Sequence, residues 1–185
     1  MVMSVSEDEI EKLLQSLEKV VGKVKDSVEV CVRAGYILRE FERALAHTLC
    51  ERLGDEGVRA LGELSVETEK VRLTVTGYMG RLTVTFSATP GMKEDAERLA
   101  ARLGLYFRRT SYPTVRGIRE DDFQNYDSPV IAPLILKHLA EGGAERLAEV
   151  LKNKAAEIEG ENALLGAAIR TVEKAISPLV LASKL

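Results

Sequence analysis

The sequence predicts an α+β fold: a small antiparallel sheet of about four strands packed on helices, with a long carboxy-terminal helix of coiled-coil type. Three observations predict it. Apolar residues keep helical spacing up to Leu49, alternate strictly from Val71 to Phe86, and fall into heptads from Leu151 to Leu179. A chain of 185 residues suits one buried domain with an added helical element. Its 45% hydrophobic and 30% charged residues exclude a disordered or fibrous protein. No apolar run approaches the roughly 20 residues that a membrane span needs.

Ser6-Glu7-Asp8-Glu9 is a capping box, and the stripe Ile10, Leu13, Leu14, Leu17, Val20, Val21, Val24 predicts a helix over residues 7–25. A second stripe through Val30, Ala34, Ile37, Leu38, Phe41, Leu45 and Leu49 predicts a helix over 28–53, stopped by Gly54. Leu64 and Val66 indicate a short strand over about 61–67. Val71, Leu73 and Val75 alternate with Arg72, Thr74 and Thr76; Leu82, Val84 and Phe86 alternate with Arg81, Thr83 and Thr85. With Gly77-Tyr78-Met79-Gly80 between them, these runs predict a hairpin of strands 70–77 and 80–88. Its apolar face packs on helices, and its Thr and Arg face meets water or a ligand.

Pro90-Gly91 ends the sheet, and Ala96, Leu99, Ala100 and Leu103 define a short helix over 93–103. Residues 105–112 form a fourth strand, which Pro113 pushes toward an edge. A polar loop over 113–128 carries Glu120, Asp121 and Asp122, and an apolar helix follows over 129–140. Gly142-Gly143 then divides a domain of residues 1–142 from a helical segment of 143–185.

In that last segment Leu151, Ile158, Leu165, Val172 and Leu179 take heptad position d, and Ala155, Asn162, Ile169 and Ile176 take a. Asn162 is the single polar a residue, and such a residue sets register between two chains. Leu151, Ile158, Asn162, Leu165, Ile169, Val172 and Ile176 are therefore the expected self-association seam, in a homodimer or a homotetramer. Lys154 and Glu159 stand where they would bridge two parallel chains. Gly160 and Gly166 weaken a continuous helix, and the competing expectation is a long helix packed on its own domain.

The net charge of −3 conceals an uneven distribution: over residues 70–119 ten Lys and Arg face three Asp and Glu, while both flanks are acidic. Five of the nine aromatic residues, Tyr78, Phe86, Tyr106, Phe107 and Tyr112, fall in that basic segment. Arg with interleaved Tyr on strands matches a surface that stacks unpaired bases and holds phosphates, better than it matches a duplex groove. The expected nucleic-acid contacts are Arg72, Tyr78, Arg81, Tyr106, Arg108, Arg109, Tyr112, Arg116 and Arg119. Phe86 and Phe107 point inward by phase.

Catalytic signatures are few. There is no phosphate-binding glycine loop, no dinucleotide fingerprint and no nucleophile elbow. His47 and Cys50 have helical ligand spacing but lack the further ligands of a zinc site. Glu120, Asp121, Asp122 and Asp127 are the one acidic cluster beside the basic segment, which makes a metal-dependent nuclease the enzyme alternative. The expectation is a non-enzymatic protein with no cofactor. Two cysteines, Cys31 and Cys50, and an acidic amino terminus are those of a reduced, cytoplasmic protein without a secretory signal or membrane partner. Scarce Gln and Asn, no Trp and abundant charge lean toward a thermophile.

Gly77-Tyr78-Met79-Gly80, Tyr106-Phe107-Arg108-Arg109 through Arg119, and the heptads from 151 to 179 together resemble the Thermo-DBP-related proteins, archaeal single-stranded DNA-binding proteins without an OB-fold. The likeness is one of element order over most of the chain. It implies a small sheet on helices, a basic and aromatic cleft for single-stranded DNA, and oligomerisation by the last helix. The alternative outside nucleic-acid binding is an oligomeric assembly or chaperone-like protein whose Arg residues meet acidic partners.

Overall fold

The computed structural model describes residues 28–102, 106–108, 117–119 and 130–183. The helix expected over residues 7–25 lies outside them. The chain is α+β. Helix α1 (Val28–Leu61) leads into strands β1 (Glu63–Glu67), β2 (Val71–Tyr78) and β3 (Arg81–Ala88). A 3-10 turn (Pro90–Met92) and helix α2 (Lys93–Arg102) follow, then the short strands β4 (Tyr106–Arg108) and β5 (Gly117–Arg119). Helices α3 (Ile131–His138), α4 (Ala144–Ile158) and α5 (Ala163–Ser183) complete it, with a π-turn (Leu139–Gly143) between α3 and α4.

The three long strands form one antiparallel sheet in the order β1-β2-β3. Alternation delivers what it promises: Leu64, Val66, Val71, Leu73, Val75, Val84, Phe86 and Ala88 are all buried on one face. The other face carries Ser and Thr in register, Ser65 beside Thr74 beside Thr85 and Glu63 beside Thr76 beside Thr83. The hairpin turn is tighter than the sequence implies. Tyr78 pairs directly with Arg81, leaving only Met79 and Gly80, both at positive φ (49° and 74°), the geometry of a two-residue primed turn.

Helix α1 packs its buried stripe, Ala34, Leu38, Phe41, Leu45 and Leu49, against the sheet, with Phe41 stacked on Phe86 at 5.7 Å between centroids. Gly54 interrupts the helical backbone at φ 65°, where the sequence places the helix end, but a further helical segment then continues to Leu61. On the same stripe Glu42 is buried, and its carboxylate accepts the backbone N–H of Phe86 at 2.6 Å. That amide points away from β2, so α1 closes the outer edge of β3.

The expected fourth sheet strand is corrected by this arrangement. Only residues 106–108 of 105–112 are described as strand, and they pair in parallel with β5 instead of joining the sheet. The edge that β3 would offer is already occupied by Glu42 and α1.

The carboxy-terminal segment also departs from expectation. It is two helices folded back on each other, with a turn between Ile158 and Ala163. Asn162 begins the second helix: its side-chain oxygen accepts the N–H of Leu165 at 3.1 Å. Glu159 forms a two-pronged ion pair with Arg170, both contacts at 2.9 Å, so it does not await a Lys154 from another chain. Leu151, Ile169, Val172 and Ile176 are fully buried in this chain's own core, and Ile158 and Leu165 pack partly against it. The seam expected between chains is therefore satisfied within one. The core runs continuously from α1 and the sheet into α4 and α5, so residue 142 does not separate two cores. No helix among the described residues is long and apolar enough to cross a membrane.

Two outcomes test these contacts. A Cβ on Gly166 would stand 2.6 Å from Cβ and 2.8 Å from Cα of Glu159, whereas one on Gly160 meets nothing. Gly166→Ala should lower stability by about 1–3 kcal/mol in denaturant unfolding and Gly160→Ala should not. A continuous helix would be stabilised by both. Burial pushes the Glu42 carboxyl up from 4.5 to about 7, against the opposing pull of the Phe86 amide and the Arg39 charge. The folded chain then binds a proton that the unfolded chain releases, so stability should fall as pH rises from 4.5 to about 7, by roughly 3 kcal/mol. Thermal melts of Glu42→Gln, which keeps an acceptor for Phe86 but cannot ionise, should lack that decline.

Candidate functional site

The turn from β1 to β2 is built around one hydroxyl. Thr68 Oγ1 accepts the backbone amides of Lys70 at 3.3 Å and Val71 at 3.1 Å. The same oxygen lies 2.7 Å from Nε2 of His138, at the end of α3, and 3.4 Å from the Val71 carbonyl. With its lone pairs directed to two amides, the hydroxyl donates to the nearer acceptor, which assigns the His138 proton to Nδ1. His138 is buried, and burial followed by the Arg146 charge pulls its pKa below the ordinary value. Neutral His138 is thus a structural clamp holding α3 to the sheet's turn.

That clamp forms one wall of a cleft of about 340 Å³ between α2, α3 and the β1–β2 turn. Buried Met92, Leu99 and Pro133, with half-buried Leu134, make an apolar floor. Lys70, Arg98, Arg102 and Lys137 surround it, against only two carboxylates, Asp95 and Glu141. Lys70 is held by Asp95 at 2.7 Å, and Arg98 pairs with Glu94 one turn before it. Behind Lys70, Glu69 pairs with Arg146 at 2.6 Å and receives the Thr89 hydroxyl on its carbonyl. Among the described residues, Arg102 and Lys137 have no ion-pair partner and are exposed. The cleft thus combines an apolar bed with two uncommitted cations at its rim, a chemistry for anions that carry an apolar body.

The nine residues expected to contact nucleic acid divide into groups. Arg72 is engaged by Glu67 across the β1–β2 pair at 2.9 Å. Tyr78 is 74% exposed at the hairpin tip beside exposed Arg81, as the turn position predicts. Lys70 and Tyr78 lie at opposite ends of β2, roughly 25 Å apart at the rise of an extended strand. The tip and the cleft are therefore separate surfaces. Tyr106, Arg108 and Arg119 lie on the β4–β5 ribbon, where Arg108 stands opposite Arg119 and Tyr106 opposite Gly117. Arg109, Tyr112 and Arg116 fall outside the described residues, as do Glu120, Asp121, Asp122 and Asp127. Phe86 is buried, as its phase requires.

The cleft cations Lys70, Arg98, Arg102 and Lys137 are not among the nine residues that the sequence singles out. Arg98 and Arg102 are spaced i,i+4 within the basic segment, a signal that they share one helix face. What joins that face to Lys137 on α3 is a tertiary contact without a local signature. His47 is exposed and Cys50 half-buried, with the Cys50 thiol 4.0 Å from the Gly80 carbonyl, and Cys31 is buried. No cluster of three metal-ligating side chains occurs among the described residues.

Burial and the Arg146 charge are expected to hold the His138 titration below 6.5 in ring-proton NMR; a midpoint at or above that value would mean that the ring is not buried as described, or that Glu69 and Asp95 outweigh Arg146. No known protein family, curated protein or solved structure matches this chain.

Proposed function

We propose that the protein binds single-stranded nucleic acid, most simply DNA, without transforming it, and that the strand's phosphates run along the cationic rim of the cleft between α2 and α3. The observation that carries this reading is the uncommitted pair Arg102 and Lys137 above an apolar floor. Helix α2 also leads directly to β4, where Arg108 stands in register with Arg119. An unpaired strand has exposed bases to lower into a cleft of about 340 Å³, which the paired and stacked bases of a duplex do not offer. The acidic flanks of the sequence disfavour indiscriminate polyanion binding and confine attraction to the basic segment. Exposed Tyr78 and Arg81 form a second, distant contact for a longer strand.

Protein assembly is the second reading. It is favoured by Val32 and Tyr36, one turn apart on α1 and 50% and 64% exposed.

Fluorescence anisotropy with a labelled oligo(dT) and its duplex, at several salt concentrations, tests the proposal. Preference for the single strand is expected, with a salt slope that the double variant Arg102→Ala/Lys137→Ala reduces by about 1.4, since each phosphate contact on a single strand contributes about 0.7. Absence of binding at low salt overturns it. In that event, concentration-dependent association lost in Tyr36→Glu favours assembly.

A further inference from the structure

The cleft has two chemistries, and they are stacked. Its rim is cationic, but its floor is not: Met92 and Leu99 on one side and Pro133 and Leu134 on the other present carbon. Met92 is 1% and Leu99 6% exposed, so this floor is continuous with the core and rigid. Two of the polar groups beside it are committed, His138 Nε2 to Thr68 and Asp95 to Lys70, while the Glu141 carboxylate is exposed. Such a site offers a ring a small apolar bed with charged groups around it. Its volume of about 340 Å³ lies at the low end of the ~300–1,000 Å³ typical of small-molecule sites, the size class of a ligand such as one nucleotide.

We propose that the cleft is a one-nucleotide seat: a single unpaired base lies on the Met92, Leu99, Pro133 and Leu134 floor while its phosphate is held by Arg102 and Lys137. This deepens the strand-binding reading and rests on it for the natural ligand, but the seat itself is testable with a free mononucleotide. Because the base must leave its stack to enter, the seat also gives a structural reason for preferring unpaired strands.

The test is competition and direct titration with two probes, thymidine monophosphate and inorganic phosphate. The nucleotide is expected to displace labelled oligo(dT) at concentrations at least tenfold below those of phosphate. In amide NMR titrations it is expected to shift the signals of Lys137, His138 and Leu99. Leu134→Trp, which fills the floor, should abolish nucleotide competition. Arg102→Glu, at the exposed end of α2, should weaken the nucleotide more than tenfold without touching the floor, and it serves if the Trp variant fails to fold. Equal competition by phosphate and nucleotide overturns the seat, as does indifference of nucleotide binding to both variants. If oligo(dT) binds but the nucleotide does not, the seat fails and strand binding stands. If the nucleotide binds and oligo(dT) does not, strand binding fails and the seat stands for a free nucleotide.

Discussion

Helix α1 has to cover both a face and an edge of a three-stranded sheet, and the rest of the structure follows from how it does so. Its aliphatic stripe and Phe41 cover the face, and the Glu42 carboxylate on the Phe86 amide covers the edge. An open strand edge is a template for further pairing, so a helix seated on it opposes the addition of a strand beside β3. Sealing with a carboxylate carries a cost. Burial raises the carboxyl's proton affinity to near neutrality, and the single hydrogen bond to Phe86 only partly offsets the loss of water.

After β3 the chain turns through Pro90–Met92 into α2, whose Asp95 reaches Lys70 at the β1–β2 turn. The Thr68–His138 clamp then fastens α3 to the same turn. Two helices from distant parts of the chain are held apart over a core-like floor, and the space between them is the cleft. Its cations come from three elements: Lys70 from a turn, Arg98 and Arg102 from α2, and Lys137 from α3. Two of them are neutralised locally by Asp95 and Glu94, which concentrates the available positive charge on Arg102 and Lys137.

The carboxy-terminal hairpin shows how one apolar pattern can have two solutions. Heptad spacing requires that the seam be covered, but not by which chain. Here the turn over 159–162 lets α5 cover α4, and both then dock on α1 and the sheet. Asn162, a register-setting residue in a seam between chains, becomes a helix cap once the helix is broken before it. Gly166, a defect in a continuous helix, becomes the point at which α5 approaches the backbone of Glu159.

Periodicity and turn chemistry by themselves determined the fold class, the hairpin of β2 and β3, the inward phase of Phe86 and the exposed position of Tyr78. These depend on neighbours within a few residues, where a two-residue or 3.6-residue period is a direct geometric constraint. The uneven charge also marked the segment that supplies Lys70, Arg98 and Arg102. Only the tertiary structure decided which Arg and Lys share a cleft and which, like Arg72, are spent on a neighbouring strand. It also decided that Glu42 lies buried on a helix face that sequence alone makes ambiguous. The same holds for the heptads: amphipathicity records that a surface must be hidden, while the partner that hides it is set by which close packing the whole chain can reach at once.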